Sequence, residues 1–424
     1  MKYIEKTLMS IVLVGLLGGC GETGVVELNS DKVSRSINLT SVSTIQDEGV
    51  SYLNSLRADA GMIPFQREYH LEDAAQNHAN YLIINNTFSH YESQNASGFT
   101  GVAPANRAQF EAYAYAGVGE NISSSNASVE KSIDTLFSAI YHRFGFLNFD
   151  YDEIGVGFAQ SDAYRYGNVY NYNMGMSPLR ILCEGAGEVR EGEYYANICT
   201  DSSKMISLTD YTHAENQNKY QNPDFVIWPA NGSDTIPPVF YEELPDPMPE
   251  CSVSGYPMSI SFNPLKSSSI MIDSFKLFDS NNQEIKDVKL MDENTDPNHT
   301  FTAYEFALFP QQRLDWDSAY RVEIAYHDSQ GRHQEVVNFK TASLPHPSFK
   351  VSKSGESFEV PLNQTRIFYL PPAHCNDTLS SFSATGLLSE IAFYDANTIM
   401  ITPKSRGRLE VKTSNGRKFT LNVR

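Results

Sequence analysis

Two histidines and a glutamate stand in three separated segments of this chain. His90 closes Phe88-Ser89-His90, Glu120 lies in Gly119-Glu120-Asn121-Ile122, and His142 lies in Tyr141-His142-Arg143. Imidazole titrates near neutral pH and is the commonest metal ligand. A carboxylate beside it can act as a general base or help complete a divalent-metal site. The three residues therefore make a candidate cleft, either catalytic or metal-binding, with His90 and His142 as ligands of an ion such as Zn2+. Each residue also has a plainer reading. His90 can cap a helix end, Glu120 can be a solvated loop carboxylate, and His142 can sit at a helix C-terminus, where a cation is favoured. His78 shares an apolar stripe with Leu71, Ala75 and Leu82, so it reads as a satisfied core histidine. Asn121 reads as loop support through side-chain to backbone hydrogen bonds. No HExxH, GxSxG, P-loop or CxxC motif offers a competing catalytic set.

Secondary-structure elements must bring the three residues together. Ile45, Val50, Leu53 and Leu56 recur at helical spacing, and so do Leu71, Ala75, His78 and Leu82. Val129, Ile133, Leu136, Phe137 and Ile140 make a third stripe, with Glu130 suited to a first helical turn. Ile154, Val156 and Phe158 alternate with small residues as in a half-buried strand, and residues 169–174 read as another strand. Helices packed on a small sheet give an α+β layered domain.

These segments resemble the CAP superfamily (cysteine-rich secretory proteins, antigen 5, pathogenesis-related 1) in its bacterial form. The resemblance rests on Leu53-Asn54-xx-Arg57-xxx-Gly61-xx-Pro64, Leu71-xx-Ala74-Ala75-xx-His78-Ala79, Phe88-Ser89-His90, the Gly-Glu-Asn-Ile segment, the His142-Arg143 pair and Ile154-Gly155-Val156-Gly157. They occur in the family's order and cover about residues 44–178. The resemblance implies an α-β-α sandwich, with His90 and Glu120 in the positions of the family's first cleft histidine and glutamate. Eukaryotic members add a second glutamate on the third helix, where this chain has Ser138 and Ala139. They also add a histidine in a later Gly-His segment, which has no counterpart here. An activity that needs all four residues lacks its full set. Members of the family have been credited with sterol or lipid binding and with proteolysis.

The N-terminus reads as a lipoprotein signal over residues 1–19. Lys2 and Lys6 precede a short apolar run from Leu8 to Leu17, and Leu17-Gly18-Gly19-Cys20 resembles a lipobox with Cys20 as the lipidated residue. Gly21 in place of Asp points, by resemblance, to the outer membrane. Cleavage there removes Lys2, Lys6 and Glu5 and takes the formal charge from −19 to −20. So acidic a chain argues against nucleic acid as a partner, since nucleic acid demands a basic surface. Cys183, Cys199, Cys251 and Cys375 permit three pairings. Cys183–Cys199 is favoured because it closes a short loop around an expected hairpin, which is worth ~3 kcal/mol by chain entropy. Cys251–Cys375 would then lock two domains together.

Residues 20–43 read as a tether, and 44–235 as the CAP domain with a C-terminal extension in which Phe225 to Trp228 forms a last strand or cap. Short alternating strands over 236–343 resemble an immunoglobulin-like sandwich, and 344–424 form a second mainly-β domain. The leading expectation is an exported, lipid-anchored binding module of the envelope. Its cleft would take a divalent metal or a small polar ligand, and its wider partners would be a lipid, glycan or protein. The alternatives are a metal-dependent hydrolase using His90, Glu120 and His142, and a structural adhesin.

Overall fold

A computed structural model of the chain describes residues 3–4, 41–185 and 192–424. Cys20 and nearly all of the leader and tether lie outside the described residues. Tyr3–Ile4 runs parallel to Tyr194–Tyr195.

The first domain holds helices α1 (Val42–Asp59), α2 (Tyr69–Ile84), α3 (Pro104–Phe110), α4 (Val129–Ser138) and α5 (Ile140–Phe146). Ser41 Oγ accepts the Thr44 N–H, the Glu68 carboxylate accepts the Leu71 N–H, and Ser128 Oγ accepts the Lys131 N–H. Each cap satisfies a donor that a first helical turn leaves without a partner. Strands β1 (Gln66–Arg67), β2 (Gly119–Ser124), β3 (Glu153–Gln160) and β4 (Asn168–Gly175) form one sheet in the order β1-β3-β4-β2. Only the β1–β3 pairing is parallel.

Alternation along β3 sorts its two faces. Ile154, Val156 and Phe158 join the core beneath α1 and α4. Gly155 and Gly157 face α2. A Cβ on Gly155 would stand 2.0 Å from Glu72 N, and one on Gly157 would stand 2.3 Å from the Ala75 carbonyl carbon. The Ile-Gly-Val-Gly motif is thus the seat on which α2 lies against the sheet. With α2 on one face and α1 and α4 on the other, the layers are those of an α-β-α sandwich.

The expected third helix is in fact two helices. Ala139 is extended (φ −80°, ψ 114°), so α4 ends there and His142 and Arg143 belong to α5. Arg143, fully buried, fixes the corner. It donates to the Phe137 carbonyl and, in the next domain, to the Pro257 carbonyl and the Ser259 hydroxyl. An apolar stripe carries no signal of such a contact. Arg57 plays a similar part at the end of α1, donating to the carbonyls of Ile63, Phe146 and Tyr151. Burial pushes its guanidinium down to about 9.

Residues 179–235 depart further from expectation. They hold the rest of α6 (Ser177–Gly185), with α7 (Leu208–Gln221) beyond it, so Cys183 ends a helix rather than flanking a hairpin. Its disulfide to Cys199 is present, as is Cys251–Cys375. The polar α7 buries only Tyr211 and Ala214 among its apolar residues, which hides its period. Phe225–Trp228 pairs with Met258–Phe262 in a sheet of the next domain, and Val226 and Trp228 lie in one core that α1, α4 and that domain share.

That second domain packs two four-stranded sheets on a shared core. One sheet runs Glu284–Ile285, Met271–Phe278, Ala319–Asp328, Gly331–Lys340. The other runs Val288–Met291, Glu305–Pro310, Met258–Phe262, Phe225–Trp228. The C-terminal domain repeats the plan around Val360, Phe368, Ile399, Leu409 and Phe419. The domains are firmly joined. Phe137 of α4 packs on Trp228 at 4.8 Å, and the buried Arg313 makes two 2.9 Å hydrogen bonds to Asp395 across the second boundary.

Candidate functional site

The site forms at the edge strand β2, where successive side chains leave the sheet on opposite faces. Glu120 reaches Arg107 and Asn171, whereas Asn121 donates to the His142 carbonyl of α5 at 2.9 Å. Only 1% of the Glu120 side chain is exposed. Its Oε1 stands 2.9 Å from His90 Nδ1. Its Oε2 accepts from Arg107 Nη2 at 2.6 Å and from Asn171 Nδ2 at 2.9 Å. Arg107, fully buried on α3, also donates to the His90 carbonyl and so holds both members of the pair. Burial by itself would raise the Glu120 carboxyl. Arg107, His78 and His90 outweigh it and hold that carboxyl far below the ordinary carboxylate range.

A second carboxylate lies behind the first. Glu92 Oε1 is 2.8 Å from His78 Nδ1, and Glu92 Oε2 accepts the Thr100 N–H. His78 Nε2 stands 2.9 Å from the Ser89 carbonyl. His78 is thus a buried, doubly paired core histidine, and it anchors the backbone just ahead of His90.

His142 pairs elsewhere. Its Nδ1 is 2.8 Å from Glu243 Oε2, in the Pro-rich segment that enters the second domain. The Tyr141 N–H also faces Glu243, and the Tyr141 hydroxyl bonds to Asp296 and accepts from Asn298. His90, Glu120 and His142 do line one cleft, of about 170 Å3. They enter it as two imidazole–carboxylate pairs, not as one triad. Val118, Phe144 and Met174 supply apolar lining, and Thr300 and Glu305 of the second domain complete it. Burial pushes the Glu305 carboxyl up, against hydrogen bonds from the Thr302 N–H and hydroxyl.

This arrangement does not fit a divalent-metal centre. Among the described residues, no three His, Cys, Asp or Glu side chains are grouped to hold an ion. Both Glu120 oxygens are engaged, one by a guanidinium that already supplies the positive charge. Both oxygens of Glu120 are thus taken up within the protein, and among the described residues no third His, Cys, Asp or Glu is grouped with His90 and His142. Sequence reasoning missed Arg107 and Glu243. Arg107 did carry a signal, being the one Lys or Arg between His90 and Glu120. Glu243 carried none, because its role depends on how two domains dock.

No curated protein matches the chain. Among solved structures it is similar to an extracellular protein containing an SCP domain from Bacillus anthracis str. Ames, at 19% identity and a TM-score of 0.27, covering 32% of this chain and 42% of that one. It is also similar to an outer surface protein from Borrelia burgdorferi, at 17% identity and a TM-score of 0.26, covering 31% of this chain and 92% of that one. A family model for the cysteine-rich secretory protein family, CAP, matches residues 50–174. That stretch is the one folded into the α-β-α layers that carry His90, Glu120 and His142, and it is a CAP domain.

Proposed function

We propose that this is an exported protein, anchored to the cell envelope through a lipidated Cys20, whose CAP cleft binds a small ligand with a polar head and an apolar body. The observation that carries this reading is the cleft itself. It is lined by two imidazoles, each with Nε2 without a hydrogen-bond partner among the described residues, together with the apolar side chains of Val118, Phe144 and Met174. Pockets of this mixed kind, mostly apolar with a few placed polar groups, are the usual form of small-molecule sites. Export is supported by the two disulfides, which persist in oxidising compartments. The lipobox supports the anchor, and Gly21 favours the outer membrane. No described helix is long and apolar enough to cross a membrane. The two β-domains act as spacers or adhesive arms.

The test is calorimetric titration of octyl glucoside, below its micelle concentration, into the full chain without its leader. Saturable one-to-one binding, weakened in His90→Ala and in His142→Ala, supports the reading. Absence of binding moves the weight to a structural adhesin. Micromolar Zn2+ binding that both variants abolish would restore the metal-dependent reading. Detergent partitioning of Cys20→Ser tests the anchor, and the variant should move to the aqueous phase.

A further inference from the structure

Glu243 belongs to no motif and lies 101 residues beyond His142, yet only 1% of its side chain is exposed. A buried carboxylate is costly unless paired. The partners of Glu243 are the His142 ring at 2.8 Å and the Tyr141 N–H at 3.2 Å. The arrangement repeats that of Glu120 and His90, where a carboxylate equally shielded from solvent stands 2.9 Å from Nδ1. An ionised carboxylate only accepts hydrogen bonds, so the nitrogen facing it must carry the proton. In the neutral ring, the other nitrogen then presents a lone pair.

We propose that Glu243 is a positioning residue behind the cleft, supplied from outside the CAP domain, that holds His142 in its Nδ1–H form and turns its Nε2 into an acceptor for the ligand. It does this where the third helix, with Ser138 and Ala139, offers no carboxylate. The cleft then presents two ring acceptors, at His90 and His142. Its ligand head is one that donates hydrogen bonds, of the hydroxyl type, rather than an anion that needs donors. This rests on reading the cleft as a binding site. The site is complete only when the segment around Glu243 is docked, so recognition and the seating of the second domain are one event.

The experiment uses the full chain without its leader and the Glu243→Gln variant. Long-range 15N spectra of the histidine rings give a readout that needs no ligand. The His142 ring should show the Nδ1–H tautomer in the parent and move towards a mixture in Glu243→Gln, while His90 stays unchanged. Three probes with one tail and different heads, octyl glucoside, octylammonium and octyl sulfate, then report the head chemistry. Octyl glucoside should bind more tightly than octyl sulfate and lose about tenfold in Glu243→Gln, the scale of one hydrogen bond to a charged or positioned group. A His142 tautomer indifferent to Glu243→Gln overturns the proposal, and so does preference for octyl sulfate. If no probe binds the parent, the binding reading fails, while the tautomer still decides whether Glu243 positions His142. Should Glu243→Gln not fold, Glu243→Asp keeps the charge but draws it back by one methylene, and the same tautomer shift is expected of it.

Discussion

Glu120 can stay ionised inside the protein because Arg107 stands 2.6 Å away and neither is exposed. Removing one partner of a buried ion pair leaves the other charge uncompensated. Glu120→Gln is therefore expected to lower stability by about 3–5 kcal/mol in urea unfolding at pH 7, and a loss near zero would refute the charge account. Its dependence on pH follows from the depressed carboxyl. That contribution is fully present above the unfolded value near 4.5 and is lost as pH falls towards the lower folded value. The gap in melting temperature between parent and Glu120→Gln should thus hold at pH 5–7 and narrow in stronger acid. A gap that widens below pH 4 would reverse the sign of this argument. The same geometry makes Glu120→Gln a poor test of catalysis, because it disturbs the fold along with the site.

At the scale of elements, the cleft depends on how closely α2 approaches the sheet, since His90 follows that helix. The neighbours of an added methyl at Gly157 are backbone atoms of Ala75 and Gln76, which cannot swing aside as a side-chain end can. Gly157→Ala should cost at least about 1–3 kcal/mol, the usual range for overpacking. It should also displace the His90 ring signals in NMR spectra. A melting temperature within a degree of the parent would show that α2 can lift without penalty. The helical stripes of α1, α2 and α4 and the alternation of β3 were legible because each is a local pattern of a few residues. The break at Ala139 was not. The stripe from Val129 to Ile140 continues through it, and the interactions that hold the corner come from Arg143 and the next domain.

Across the whole molecule, three β-rich or mixed units are fastened by different means. The CAP core runs into the second domain through Phe137 and Trp228, flanked by the hydrogen bonds of Arg143 to Pro257 and Ser259 and of His142 to Glu243. The second and third domains are held by Cys251–Cys375 and by the Arg313–Asp395 pair. The two disulfides close loops of very different length, 124 and 16 residues apart in sequence. By chain entropy, replacing Cys251 and Cys375 with Ser should cost about 4–5 kcal/mol, against about 3 kcal/mol for Cys183 and Cys199. Denaturant titrations of the two double variants compare them directly. Equal losses would mean that native contacts, rather than loop length, set the difference.

The sequence by itself determined the CAP stretch, the helical stripes of α1, α2 and α4, the alternation along β3 and the strand-rich character of the two β-domains, and it favoured one of three pairings of the four cysteines. Such features come from interactions between near neighbours or from spacing along one element, and periodicity records them. Tertiary structure alone decided that His90 and His142 take separate carboxylates, that Arg107 pairs with Glu120, and that the second domain lines the cleft with Thr300 and Glu305. An imidazole–carboxylate contact between residues 101 positions apart exists only because two cores dock in one orientation. The packing of Phe137 on Trp228 and the anchoring of Arg143 set that orientation, and no local pattern along the chain encodes it.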